Sequence, residues 1–231
     1  GGVAGGVRCR FGEASPSASW TGGASRLRCA SAPSPVSGWV GVHLSASHGA
    51  LSSGGSFYYH AALSASVAAP PLGPERGGTR VALLGGGAFR DAYTLRCRFG
   101  VGGAPRASVL ARHVDESQVE CSTPVHSSGP APLRLSMNGQ QYASSGPSFT
   151  YQRAAWVVAA SPARVLAEGG TPVTVTGGGF SSSSEALGWL LCRVGGSVRR
   201  ARWASSGAVV CNSTRGAAAG EARVEVSNNG R

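Results

Sequence analysis

A short cysteine-led run returns three times in this 231-residue chain, and each return is followed by a second cysteine. The runs are Cys9-Arg10-Phe11-Gly12, Cys97-Arg98-Phe99-Gly100 and Cys192-Arg193-Val194-Gly195. The second cysteines are Cys29, Cys121 and Cys211. Other landmarks keep the same order. Ser56-Phe57-Tyr58-Tyr59 matches Ser148-Phe149-Thr150-Tyr151, and Gly77-Gly78-Thr79 through Phe89 matches Gly169-Gly170-Thr171 through Phe180. A period of roughly 90 residues implies one packed unit per copy. On this frame residues 1–60 are a partial copy lacking the Gly-Gly-Thr strand region, and 61–152 are a complete copy. Residues 153–231 are a copy that stops before its last, Phe-Thr-Tyr strand. The boundaries fall at His60-Ala61-Ala62 and Gln152-Arg153-Ala154, with almost no free linker, and the chain reads as part of a longer array.

Within a copy the residues alternate with the period of two that half-buried strands require. Val173-Thr174-Val175-Thr176, Leu133-Arg134-Leu135 and Val224-Glu225-Val226 are examples. Gly, Pro and Ser clusters punctuate them, and Asn138-Gly139 is a turn signal between strands. Glu185 to Leu191 has a helical look, but it is too short for a self-supporting helix and is expected to be strand or turn. About 90 residues of short strands per copy predict an all-β chain of tandem small sandwiches.

The six cysteines allow fifteen pairings, and the repeat selects Cys9–Cys29, Cys97–Cys121 and Cys192–Cys211. Closing a loop of ~20 residues contributes about 3 kcal/mol in the chain-entropy model, and disulfides imply an oxidising compartment. Asn212-Ser213-Thr214 is an N-glycosylation sequon. Pro16, Pro33 and Pro35 stand in Ser/Pro elements of the kind that are hydroxylated and O-glycosylated in secreted proteins.

These residues resemble the IPT/TIG domain family, immunoglobulin-like folds found in plexins and many large surface proteins. The family pattern opens on Pro and Gly-Gly-Thr and reaches Gly-x-Gly-Phe, as from Pro162 through Gly170-Thr171 to Gly179-Phe180. A Cys-x-Phe-Gly strand and a Cys-x-(Ser/Thr)-Pro segment follow, as at Cys97 and at Cys121-Ser122-Thr123-Pro124, and the copy closes on Phe149-Thr150-Tyr151. Val194 in place of Phe, and no Pro after Cys211, make the third copy the least regular. The resemblance implies tandem immunoglobulin-like β-sandwiches of E-set type. The short cysteine spacing differs from that of antibody-type sandwiches, whose disulfide joins the two sheets across the core, so no buried Trp on a disulfide is expected. Tandem copies with Ser-Pro elements also resemble large secreted proteins of green algal cell walls and flagellar surfaces.

Catalytic patterns are scarce. The chain has no Lys, which excludes Schiff-base and phosphate-loop lysines. The Gly85–Gly87 and Gly177–Gly179 runs repeat and are read as turns of the fold. His43, His48 and His60 do not recur, and His113-Val114-Asp115-Glu116 is read as a solvated loop. No enzyme, metal or cofactor is expected. The net charge of +11 is spread along the chain: four Arg against one Glu in 1–60, eight against five acidic residues in 61–152, nine against four in 153–231. That spread argues against a nucleic-acid stripe. The densest spot, Arg199-Arg200-Ala201-Arg202-Trp203, is a candidate binding patch.

The expectation is a non-catalytic structural or adhesive segment of a larger extracellular glycoprotein, a stiff spacer or matrix-building array. Its partners would be neighbouring repeats, other matrix proteins or acidic polysaccharide. Two rival classes are a ligand-binding receptor ectodomain, with Trp39, Trp156 and Trp203 as candidate contacts, and a DNA-binding protein of TIG type. No stretch is long and apolar enough to span a membrane, so any membrane link would lie in segments outside this piece.

Overall fold

The computed structural model describes residues 3–21, 26–46, 51–61, 63–86, 89–90, 94–100, 108–215 and 220–230. The chain divides into two compact units, Gly1–Ala62 and Leu63–Arg231.

The first unit is one five-stranded antiparallel sheet. Its strands are β1 (Val3–Phe11), β2 (Ser17–Trp20), β3 (Leu27–Cys29), β4 (Gly38–Ser45) and β5 (Leu51–Tyr59), in the order β3-β2-β1-β4-β5. Its core cluster is small. Cys9 and Ala18 are buried, and Val7, Phe11, Leu27, Cys29 and Leu44 pack half-buried against them.

The second unit begins with a single eight-stranded ribbon folded on itself. Its strands are β6 (Ala65–Ala69), β7 (Leu72–Pro74), β8 (Arg80–Gly85), β9 (Arg96–Phe99), β10 (Ser108–Asp115), β11 (Gln118–Ser122), β12 (Gly129–Ser136) and β13 (Ser148–Gln152). They run in the order β6-β8-β11-β10-β9-β12-β13-β7. Strand β10 makes the fold. Its first residues, Ser108 to Leu110, pair with β9, and Ala111 to Asp115 pair with β11. One strand thus belongs to both layers, and the layers close over a core.

The alternation of the sequence selects that core. Val81 and Leu83 point inward from β8, Cys97 and Phe99 from β9, Val119 and Cys121 from β11, and Ala131, Leu133 and Leu135 from β12. Phe149 and Tyr151 point inward from β13. The intervening residues face out, as a pleat requires. Fully burying one such aliphatic or aromatic side chain is worth about 1.5–3 kcal/mol.

The last strands repeat this plan: β14 (Trp156–Ser161), β15 (Pro172–Gly178), β16 (Leu191–Val194), β17 (Ser197–Arg200), β18 (Arg202–Ser205), β19 (Ala208–Asn212) and β20 (Val224–Ser227). They form a four-stranded sheet β14-β15-β19-β18 and a three-stranded sheet β17-β16-β20 over a second core. The strand that bends in the preceding sandwich is broken here. β17 pairs with β16, β18 pairs with β19, and buried Ala201 is the corner between them.

Two expectations need correction. The segment around Glu185 contains a helical turn, α1 (Ser182–Ala186), before a turn and the strand at Leu191. It forms because the Ser181 hydroxyl caps it, accepting from the Ser184 N–H at 3.4 Å. Second, the disulfides of 63–231 do join the two layers. Cys97 on β9 and Cys192 on β16 lie in one layer, and their partners on β11 and β19 lie in the other. The short loops suffice because a strand changes layer inside each of them.

Candidate functional site

The repeated motifs occupy repeated bonds. Gly78 N–H donates to the Thr123 carbonyl at 2.8 Å, and Gly170 N–H to the Ser213 carbonyl at 2.9 Å. The hydroxyls of Thr123 and Ser213 accept from the N–H groups of Thr79 and Thr171 at 3.0 and 2.9 Å. Gly77 and Gly169 stand at φ +75° and +80°, and a Cβ at either would strike the chain after the second cysteine. Glycine is needed there for both conformation and close approach. Gly87 and Ala88 of the first glycine run lie outside the described residues.

A ring nitrogen is also repeated. His113 Nε2 lies 3.2 Å from the Phe89 carbonyl, and Trp203 Nε1 donates to the Phe180 carbonyl at 3.3 Å. His113 faces Val119 across the pair of strands just as Trp203 faces Val209. The histidine beside carboxylates is therefore a structural donor. Asp115 serves the adjoining turn, accepting from Ser117 N–H and Oγ–H at 2.7 Å. The Ser117 side-chain and backbone bonds hold its carboxyl below the ordinary carboxylate value.

The cysteines lie in three bridges, Cys9–Cys29, Cys97–Cys121 and Cys192–Cys211, with Cα separations of 6.2, 6.4 and 5.9 Å. Those separations suit a disulfide. Among the described residues no three His, Cys, Asp or Glu side chains stand together as a metal cage. No helix among them is long and apolar enough to cross a membrane. His43 and His60 sit on separate strands or loops of the first unit, and His48 lies outside the described residues.

Asn212 is exposed at the end of β19, while Ser213 is buried by its bonds to Thr171. Pro33 and Pro35 are exposed in the loop between β3 and β4, and Pro16 is half-buried before β2. The basic cluster is divided. Arg199 opposite Cys192 and Arg200 opposite Leu191 project from opposite faces of β17. Arg202 and Trp203 follow the corner and belong to the other sheet. Trp203 packs half-buried against the core. Trp39 is 71% exposed and edge-on to Tyr58 at 5.1 Å, and Trp156 is 57% exposed, lying across Gly178.

The most developed polar site joins the two sandwiches of 63–231. Only Arg153, Ala154 and Ala155 separate β13 from β14. Gln152 Nε2 donates to Ser181 Oγ at 2.8 Å, and its Oε1 accepts from Ser184 Oγ at 3.3 Å. Asn229 Nδ2 donates to Thr79 Oγ1 at 3.1 Å, and both residues are buried. Asn228 braces the same edge from within, accepting from Ser181 N–H at 3.3 Å and donating to the Gly179 carbonyl at 2.7 Å. A cavity of about 280 Å³ lined by Arg76, Thr79, Arg153 and Asn229, among others, remains at the seam. Sequence reasoning missed this site. Its partners lie up to 150 residues apart, and the one local signal is Asn228, where the preceding copy carries Met137.

The fold and its bridges define a class: tandem immunoglobulin-like sandwiches tied by disulfides, which point to an extracellular or cell-surface setting. The IPT/TIG domain model matches residues 66–151 and 157–231, and the chain belongs to the IPT/TIG domain family. Residues 1–65 lie outside both matches.

Among solved structures, the plexin A4 full extracellular region is 16% identical with a TM-score of 0.49. The likeness covers 93% of this chain and 18% of that one. The Bacteroides ovatus mixed-linkage glucan utilization locus protein SGBP-B, solved with a mixed-linkage heptasaccharide, is 15% identical. It covers 91% and 51% of the two chains at a TM-score of 0.32. The Escherichia coli adhesin FdeC is 18% identical, covering 84% and 70% at a TM-score of 0.34. No curated protein matches the chain.

Proposed function

We propose that this chain is a non-catalytic segment of a larger extracellular glycoprotein, in which IPT/TIG repeats act as a stiff, disulfide-braced spacer or matrix-building array. On this reading 61–152 is a whole repeat, and 1–60 and 153–231 are partial ones. The observation that carries the proposal is the seam at Gln152. A three-residue connection with side-chain bonds on both sides of it, Gln152 to Ser181 and Asn229 to Thr79, restricts rotation of one sandwich on the next. Without such bonds relative domain motion is the default.

Asn212 would carry an N-linked glycan, and Pro16, Pro33 and Pro35 are the sites for hydroxylation and O-glycans. The Arg-rich, Lys-free surface, Arg199, Arg200 and Arg202 included, suits acidic polysaccharide or acidic matrix neighbours. The test is to measure residual dipolar couplings on the full chain. Couplings from residues 63–152 and 156–230 should fit one common alignment tensor. Two independent tensors would refute the stiff spacer and favour a flexible ectodomain.

A further inference from the structure

One position of the strand ladder is filled differently in each copy. Next to the first cysteine, on the outward side of the sheet, every copy carries an arginine: Arg10, Arg98 and Arg193. Its partner across the ladder is His43 in the first copy, Arg134 in the second and Glu225 in the third. In the third copy the pair is neutral, with Arg193 Nε donating to Glu225 Oε2 at 2.6 Å. In the first, Arg10 Nε turns back to the Gly12 carbonyl at 2.8 Å. The second copy sets a cation against a cation.

The fold does not ask for this. Like charges directly opposite on neighbouring strands, with Cβ atoms about 5 Å apart, repel and destabilise a sheet. A carboxylate fits the same position, as Glu225 shows. Arg96 adds a third charge, two residues from Arg98 on the same face and diagonal to Arg134, roughly 7–8 Å away. Its neighbours on that face, Ser108, Leu110 and Ser136, are uncharged. All three arginines are half-buried, and among the described residues none of them pairs with a carboxylate.

Arg98 is also held in place. Its guanidinium carbon stands 3.9 Å from the centre of the Tyr142 ring, and the Tyr142 hydroxyl shares a 2.7 Å hydrogen bond with Ser108 Oγ. Arg98 Nε is buried with no hydrogen-bond partner among the described residues. A stacked guanidinium keeps its plane and presents its fork of donors in a set direction. The backbone beneath is fully used, because β9 lies between β10 and β12, and β12 between β9 and β13. A peptide strand finds no free rungs to pair with there, so an occupant is read by its charges.

We infer that the outer face of β9 and β12 binds an acidic polysaccharide. Arg98 and Arg134 together clamp one carboxylate or sulfate, and Arg96 meets the next charged group along the sugar chain. The inference rests on the proposed reading of the chain as part of an extracellular array with acidic polysaccharide among its neighbours, and it moves the contact from Arg199, Arg200 and Arg202 to the preceding sandwich. Arginine forks match the paired oxygens of such oxyanions, and a bound anion also relieves the repulsion between the two guanidinium groups.

The probes are an oligogalacturonate, bearing carboxylates, and a sulfated dextran oligosaccharide, bearing sulfates, each titrated into the isotopically labelled full chain with plain dextran as the neutral control. At least one acidic probe should bind saturably and shift the Arg98 Nε–H resonance, and the tighter of the two identifies the acidic group. Arg134→Glu, which brings in the pairing of the third copy, should weaken binding by about tenfold or more without lowering thermal stability. Arg80→Glu makes the same change of charge at an exposed site on β8, in the other layer. It should leave binding nearly unchanged, because separated exposed charges are screened. The inference is overturned if neither acidic probe binds, which would also remove acidic polysaccharide from the proposed neighbours. It is overturned if dextran binds equally, if Arg80→Glu weakens binding as much as Arg134→Glu, or if duplex DNA binds as tightly with the same sensitivity to Arg134→Glu. Binding that survives Arg134→Glu and is lost on combined Arg199→Ser, Arg200→Ser and Arg202→Ser would overturn the site and leave the polysaccharide reading standing.

Discussion

Removing the side-chain bonds at the Gln152 seam should free the two sandwiches without unfolding either. The perturbation is Gln152→Ala with Asn229→Ala. Gln152 makes two bonds across the seam, at 2.8 and 3.3 Å, each worth about 1 kcal/mol net. Asn229 is 9% exposed and its acceptor Thr79 is 3% exposed. Loss of that bond leaves a buried hydroxyl short of a donor, at a cost of about 1–3 kcal/mol. The seam is then weakened by roughly 3–5 kcal/mol, and at tenfold per 1.4 kcal/mol the open population rises by a factor of about a hundred to a few thousand. Dipolar couplings from 63–152 and 156–230 in the double variant should no longer fit one tensor, and small-angle scattering should broaden. Asn228→Ala is the control, because its bonds to Ser181 and Gly179 lie inside the last sandwich and its loss should lower that module's own stability. A double variant that keeps a single tensor would refute the reasoning and leave the short connection alone as the constraint.

Replacing both Cys97 and Cys121 by Ala opens a bridge with a sequence separation of 24. It should lower the stability of that sandwich by about 3.4 kcal/mol on the chain-entropy model, read as hydrogen exchange at β9 and β11. A loss below about 1 kcal/mol would contradict it. Ser117→Ala removes the hydroxyl bond, the largest cause of the lowering at Asp115, and keeps the backbone N–H bond, so the carboxyl should titrate closer to 3.8 by NMR. Because the folded value is the lower one, this carboxylate's contribution is present above 3.8 and is lost as pH falls through the folded value. Native protein should lose mass on N-glycosidase digestion, and Asn212→Gln should abolish that loss.

The sandwich plan was legible because its signals are local and repeated: period-two strands, paired cysteines and glycines at turns. What escaped depends on placement in three dimensions. α1 has five residues, too few for a helical apolar stripe, and it rests on one serine cap inside a serine run. The layer-crossing disulfides were hidden because the spacing of Cys97 and Cys121 does not reveal that β10 changes sheet between them. Arg199 to Trp203 read as one cluster, but strand alternation and the corner at Ala201 divide it. His113 and Trp203 look unrelated as letters, yet each offers a flat ring with one N–H to a phenylalanine carbonyl.

Mechanical load gives the layer-crossing bridges a further meaning. Pulled from its two ends, a sandwich can pay out only the chain outside its covalent loop. The residues between Cys97 and Cys121, about 80 Å at ~3.4 Å per residue, stay locked while the bond holds. A tether built of such modules would stop lengthening early under tension, and a reductant would let it stretch further before breaking.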